Sequence, residues 1–343
     1  MEHPLNSREE NVSSPALVEE RFSHAILKSA LAVLFGIGFG ALAIRWTGVS
    51  LKDLRASFAS AQTWKIIAAT IGTFILSASQ AVRWHCILKG TTNVSYITIF
   101  KSKIVGYAAN CVLPARLGDL VRVEFVSALT GAPRSKILAT GVVDLWFDKI
   151  GWMITFAIAF LIAPMPSWVL QAMLVMSAII FVIGIALALF TVKARNLKPD
   201  SFLAKFREGL SQPHLGKLAF AQLFYSPLSW VWETLMIVFV ASAFGVDLNF
   251  AQAFAVLTAM NVSMVVPIPG NAGAFEVAST YVLTAFGVAP ERAVAFSVAY
   301  HLIFLVPGVI AGAAIFSANS SEFQFFQMLK RAYGTRSAKG SPS

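Results

Sequence analysis

Nine long apolar stretches, at 25–44, 65–82, 97–113, 139–162, 169–191, 218–244, 250–267, 274–290 and 292–316, are separated by short polar connectors. A helix rises 1.5 Å per residue and the hydrocarbon core of a bilayer is about 30 Å thick, so runs near 20 residues match one crossing. Charged residues are 13% of the chain and hydrophobic residues 57%, against about 25% charged in soluble proteins. That deficit excludes disorder, a disulfide scaffold and an ordinary soluble enzyme. Each segment must therefore satisfy its own backbone, which makes the expected fold an all-α, polytopic transmembrane bundle.

The formal charge is +10, but Lys and Arg concentrate in connectors, where they set orientation rather than build a nucleic-acid face. No nucleic-acid partner is expected. Cys86 and Cys111 form no CxxC, and His3, His24, His85, His214 and His301 are scattered, so neither a metal nor a cofactor is expected. There is also no Walker A, GxSxG or HExxH string to indicate nucleotide, esterase or zinc-protease chemistry.

Connector 192–217 carries six basic residues, and 83–103 and 130–138 are basic too (Arg83, Lys89, Lys101, Lys103, Arg134, Lys136), which predicts that all three are cytoplasmic. Links 163–168 and 245–249 have neither Lys nor Arg and are predicted outside. A segment with both flanks on one side cannot cross an odd number of times. The economical scheme is six full spans plus two oppositely oriented re-entrant hairpins, 97–130 and 250–290, forming an inverted repeat. Both termini are then cytoplasmic, with a polar tail at 1–24, a membrane domain at 25–318 and a basic tail at 319–343. Arg45, Lys52 and Arg55 fall in a connector this scheme places outside, and eight or nine plain spans are the alternative. Trp46, Trp64, Trp84, Tyr96, Trp152 and Trp168 fall near predicted span ends, as an interfacial belt would.

Each hairpin breaks at a Pro-x-x-x-Gly string, Pro114–Gly118 and Pro269–Gly273, the second preceded by Pro267 and containing Gly270. Interruptions at corresponding places in two halves point to a transport site between repeats. Around the first lie Asn110, Arg116, Asp119 and Arg122; Asp119 is three residues from each arginine, so a helix starting near Leu117 puts all three on one face. Two arginines around one carboxylate at a helix N-terminus suit a phosphate, the bland reading being an ion pair that locks the hairpin. Around the second, Asn271 supplies hydrogen bonds. Glu276 either stabilises its helix start or meets Arg116 or Arg122 as a counter-charge. Asp148, Glu233 and His301 are candidates for proton coupling, Glu233 being too deep in its segment to reach the interface.

The string Asn110…Leu-Pro-Ala-Arg-Leu-Gly-Asp-Leu-Val-Arg122, followed later by Pro267-Ile-Pro-Gly-Asn-Ala-Gly-Ala-Phe-Glu276, resembles the two signature elements of the flippase-like transmembrane region of lysylphosphatidylglycerol synthase and its stand-alone relatives. Asp119 stands where that pattern usually has Glu, and His301 lies near the place where its last helix often carries Arg. The resemblance implies a multi-pass inner (plasma) membrane protein that moves a phosphate-bearing or otherwise anionic lipid, or a lipid-linked head group, between leaflets. The aminoacyl-transfer reaction of the synthase is not expected, and the chain is read as a transporter rather than an enzyme. The alternatives are a membrane enzyme of lipid head-group chemistry or a scaffold in a lipid-biosynthesis complex. Expected partners are the lipid substrate and the bilayer, with a homo-oligomer or lipid-biosynthesis proteins as further candidates.

Overall fold

The computed structural model describes residues 48–113, 116–211, 215–266 and 268–319, with the isolated positions Leu34, Gly38, Ala41 and Arg45. The predicted polar tail, nearly all of the predicted first span, Pro114, Pro267 and the basic tail beyond Asn319 lie outside the described residues. Those described form an all-helical bundle without strands: α1 (Leu51–Ala59), α2 (Thr63–Leu88), α3 (Tyr96–Val112), α4 (Gly118–Thr130), α5 (Arg134–Ile162), α6 (Ser167–Lys193), α7 (Phe202–Leu210), α8 (Leu215–Ala243), α9 (Phe250–Ser263), α10 (Ala274–Ala285) and α11 (Pro290–Ala318). Among the described residues five helices, α2, α5, α6, α8 and α11, are long and apolar enough to cross a membrane.

Local chemistry sets the ends. Ser95 Oγ accepts from Thr98 N at 3.1 Å to start α3, and Asn249 with Gln252 forms a reciprocal capping box at α9. Gly131, at φ 68°, closes α4 in the left-handed conformation that glycine adopts without a Cβ penalty.

Helices approach closely where side chains are smallest. A Cβ on Gly118 would lie 2.0 Å from the Gly106 carbonyl oxygen, so α3 and α4 cross backbone to backbone. On α11, a Cβ on Gly308 or Gly312 would meet Tyr107 or Ala108 of α3 at 2.6 and 2.3 Å, and one on Gly151 of α5 would meet Ser226 of α8 at 2.5 Å. In lipid no hydrophobic force drives helices together, so such small-residue contacts carry the association. In contrast, α6 is peripheral, with 11% of its most apolar window buried.

The two ends of each short helix pair lie together. Val94, before α3, packs in one cluster with Ala81, Trp84 and Leu88 of α2, Val126 near the end of α4 and Ile137 near the start of α5. For α9–α10, the Arg292 guanidinium donates to the Gly245 carbonyl at 3.0 Å, joining the chain before α9 to the start of α11. The start of α2 is at the same end, since Gln62 N donates to Ala243 O at 2.9 Å.

Candidate functional site

The breaks between α3 and α4 and between α9 and α10 meet. Arg116 follows α3 and reaches the Met264 sulfur beyond α9, 3.6 Å away, while Gly270 packs against the Cys111 carbonyl at the end of α3. Arg116 and Asn271 are the third residues of the two Pro-x-x-x-Gly strings, and both hold positive φ, 55° and 56°, a region costly for non-glycine residues and concentrated at functional sites. Asn110 Oδ1 accepts from Gly118 N at 2.7 Å across the first break. In the second, Asn271 Nδ2 donates to Ser263 Oγ at 2.7 Å, and its Oδ1 is buried without a hydrogen bond among the described residues.

Beside these breaks is a cavity of about 510 Å³, to which Asn110, Arg116, Asp119, Arg122, Asp148, Glu233, Gly270, Asn271 and His301 all contribute. These nine predicted site residues therefore gather from five helices and two turns, whereas Glu276 is not among the residues that line the cavity. Pro269 is buried in the second turn, and Gly273 caps α10.

The centre of the charge network is a residue the sequence reading assigned to a cytoplasmic connector. Arg83, 2% exposed, lies inside α2, which runs six residues past the predicted span end. Its Nε meets Asp144 Oδ1 and its Nη1 meets Asp148 Oδ1, both at 2.7 Å. Arg122, also buried, lies 3.2 Å from Asp119 and 3.5 Å from Asp144, and its guanidinium sits 4.6 Å over the Trp84 ring. Lys149 Nζ is 3.2 Å from Asp148 Oδ2 and 4.8 Å from the Trp230 ring. Trp84 and Trp152 are thus core residues rather than members of an interfacial belt. Burying these ions without partners would cost several kcal/mol each, about 3–5 kcal/mol where one member of a pair is removed.

Lys103, likewise assigned by sequence to a connector, also lines the cavity. It has no carboxylate within 4.0 Å among the described residues, and Glu233 has no ion pair or side-chain hydrogen bond there. Arg116 is held loosely, 3.7 Å from Asp119 with its side chain 57% exposed. Of the two readings of Glu276, the structure has the helix-start one: its Oε2 accepts from Gly273 N at 2.8 Å, and its Oε1 lies 2.6 Å from His301 Nδ1 rather than beside Arg116 or Arg122. Asn261 donates to the Leu257 carbonyl of its own helix. The missed residues did leave a signal. Ser77, Gln80 and Arg83, and Lys103, Tyr107 and Asn110, recur at helical spacing, and every one of them faces the cavity.

The family described as the lysylphosphatidylglycerol synthase TM region matches residues 30–312. The chain belongs to that family. As a lysylphosphatidylglycerol synthase TM-region protein, it is similar to a UPF0104 membrane protein of Pyrococcus horikoshii, 26% identical over 327 residues, covering 84% of this chain and 97% of the relative. A second UPF0104 membrane protein, from Methanothermobacter thermautotrophicus, is 24% identical over 335 residues, covering 86% and 98%. The family match spans both breaks and every helix from α1 to α10, so the cavity lies within the matched region.

Proposed function

We propose that this protein moves a phosphate-bearing or otherwise anionic lipid, or a lipid-linked head group, between leaflets, with the cavity as its head-group site. The observation that carries this reading is the charge inventory: five cationic side chains (Arg83, Lys103, Arg116, Arg122, Lys149) face four carboxylates (Asp119, Asp144, Asp148, Glu233). Arg83, Arg122 and Lys149 are each held by the chain's own carboxylates. The cationic surplus therefore falls on Lys103 and on the loosely held Arg116, next to the N-terminus of α4, where a phosphate is favoured. Asp119 orients the two arginines, and Asn110 and Asn271 hold the breaks that border the site. The exposed apolar side chains of Leu120 and Val265 beside these breaks suit the acyl tails.

We read the two helix pairs as re-entrant hairpins opening from opposite faces of an inner (plasma) membrane, with both termini cytoplasmic. Helices α4, α9 and α10 have 13, 14 and 12 residues, or about 20, 21 and 18 Å of length, short of a core of about 30 Å. The adjacent ends of each pair support the same reading. Of the groups considered for proton coupling, Asp148 is engaged by Arg83 and Lys149, whereas Glu233 is not engaged by any cation within ion-pair distance among the described residues.

The test is movement of a fluorescent phosphatidylglycerol in vesicles reconstituted with the full chain, read by chemical quenching of the outer leaflet. Movement above protein-free vesicles is expected, with loss in Lys103→Gln/Arg116→Gln. Folded protein that gives no movement would overturn the reading.

A further inference from the structure

The imidazole of His301 hydrogen-bonds α11 both to the second break and to the start of α10. His301 Nδ1 lies 2.6 Å from Glu276 Oε1, and Nε2 lies 2.7 Å from the Gly270 carbonyl oxygen. These acceptors belong to different pieces of chain, Glu276 to the first turn of α10 and Gly270 to the left-handed turn before it, at φ 61°. Phe275 stacks on the ring with centroids 4.5 Å apart and fixes its plane.

Counting hydrogens decides what this arrangement requires. A carbonyl oxygen can only accept, so Nε2 carries hydrogen. A neutral ring then has only a lone pair at Nδ1, facing the lone pairs of a carboxylate oxygen. At 2.6 Å the two stay together only with a proton between them, whether written as imidazolium–carboxylate or imidazole–carboxylic acid. Once that proton leaves for the cavity, one N–H remains to serve two acceptors, and either the Gly270 or the Glu276 contact is lost.

We propose that His301 and Glu276 together form a proton-binding site whose occupancy sets whether the second break is fastened to α11. Lys103, Tyr107 and Cys111 on α3, Arg83 on α2, Glu233 on α8 and Arg116 before α4 share the cavity with the ring. None makes a hydrogen bond or ion pair with His301 or Glu276 among the described residues. Helix α9 has no titratable side chain, and Lys52, Asp53 and Arg55 of α1 make no such contact either. The proton site stands on hydrogen-bond geometry alone. Its consequence for access to the cavity, which Gly270, Asn271 and His301 border, rests on the transport reading.

A nitroxide at Val265→Cys, 83% exposed within the break, reports on the fastening in full-length protein in nanodiscs, with Cys86 and Cys111 replaced by alanine. Spectra are compared at about pH 5 and about pH 9, either side of the ordinary histidine range. The label is expected to shift from mainly immobile to mainly mobile as the pH rises. Glu276→Gln is expected to stay immobile at both: its amide oxygen accepts from Gly273 N, and its NH2 donates to Nδ1 without needing the extra proton. His301→Phe keeps the stacking but has no N–H, and is expected to be mobile at both.

A wild-type spectrum that does not change with pH, or a pH step that survives in Glu276→Gln, overturns the proposal. Should His301→Phe fail to fold, the wild-type and Glu276→Gln pair decides alone. Lipid movement is measured separately on the same protein. A pH step without lipid movement removes the transport reading and keeps the proton site; a flat spectrum with movement intact does the reverse.

Discussion

Arg83 pairs with two carboxylates at once, and both are buried with it. Arg83→Ala leaves Asp144 and Asp148 without their main partner, and a loss of about 3–5 kcal/mol is expected, read as a lower melting temperature in detergent. Asp144→Asn keeps the shape and one acceptor, so it should lower the melting temperature less. Asn110→Ala removes the acceptor for Gly118 N and should cost about 1 kcal/mol, measured in the same way. The charged residues around the first break were legible in the sequence because they interrupt an apolar run. Arg83 and Lys103 were not, since each sits near the end of such a run, where a basic residue ordinarily marks the cytoplasmic interface. What separates them from Lys89 or Lys101 is helical phase: each shares a stripe with other cavity-facing polar residues. The pairing of Glu276 with His301 could not be read from spacing at all, because it joins two helices whose packing is set elsewhere.

At the scale of the helix, the crossing of α3 and α4 leaves no room for a methyl group. Gly118→Ala is expected to prevent folding to the native bundle, because its Cβ would press into the Gly106 carbonyl at 2.0 Å. Gly141→Ala in α5, where the nearest atoms are 3.9 Å away, should be tolerated or stabilising by about 0.5–1 kcal/mol; size-exclusion profiles and melting temperatures separate the two. Cysteines at Asp247 and Glu291, flanking the α9–α10 pair, should label from the same side of the membrane, and one at Ser211 from the other. Labelling of Asp247→Cys and Glu291→Cys from opposite faces would make that pair ordinary spans. The existence of both breaks was visible in the sequence because proline and glycine punctuate apolar runs. Their direct contact was not, since Arg116 and Met264 are brought together by the packing of α3 on α11 and carry no local signal of it.

Across the molecule, the charge scheme is largely self-contained. The chain brings its own carboxylates to the arginines, so only a small residue of charge is left for a ligand. That is why composition alone, with its surplus of Lys and Arg, indicated membrane orientation and not a site. The count has an electrical consequence. With every carboxylate ionised, the cavity groups carry one net positive charge when empty, and the proton-holding His301–Glu276 pair adds none. A monoanionic head group brings the loaded cavity to neutrality. A membrane potential then acts on the empty protein, by about 2.3 kcal/mol for each charge moved through 100 mV, and leaves the loaded one untouched. On the transport reading proposed above, the return of the vacant carrier, not the passage of its cargo, is the voltage-sensitive half of the cycle.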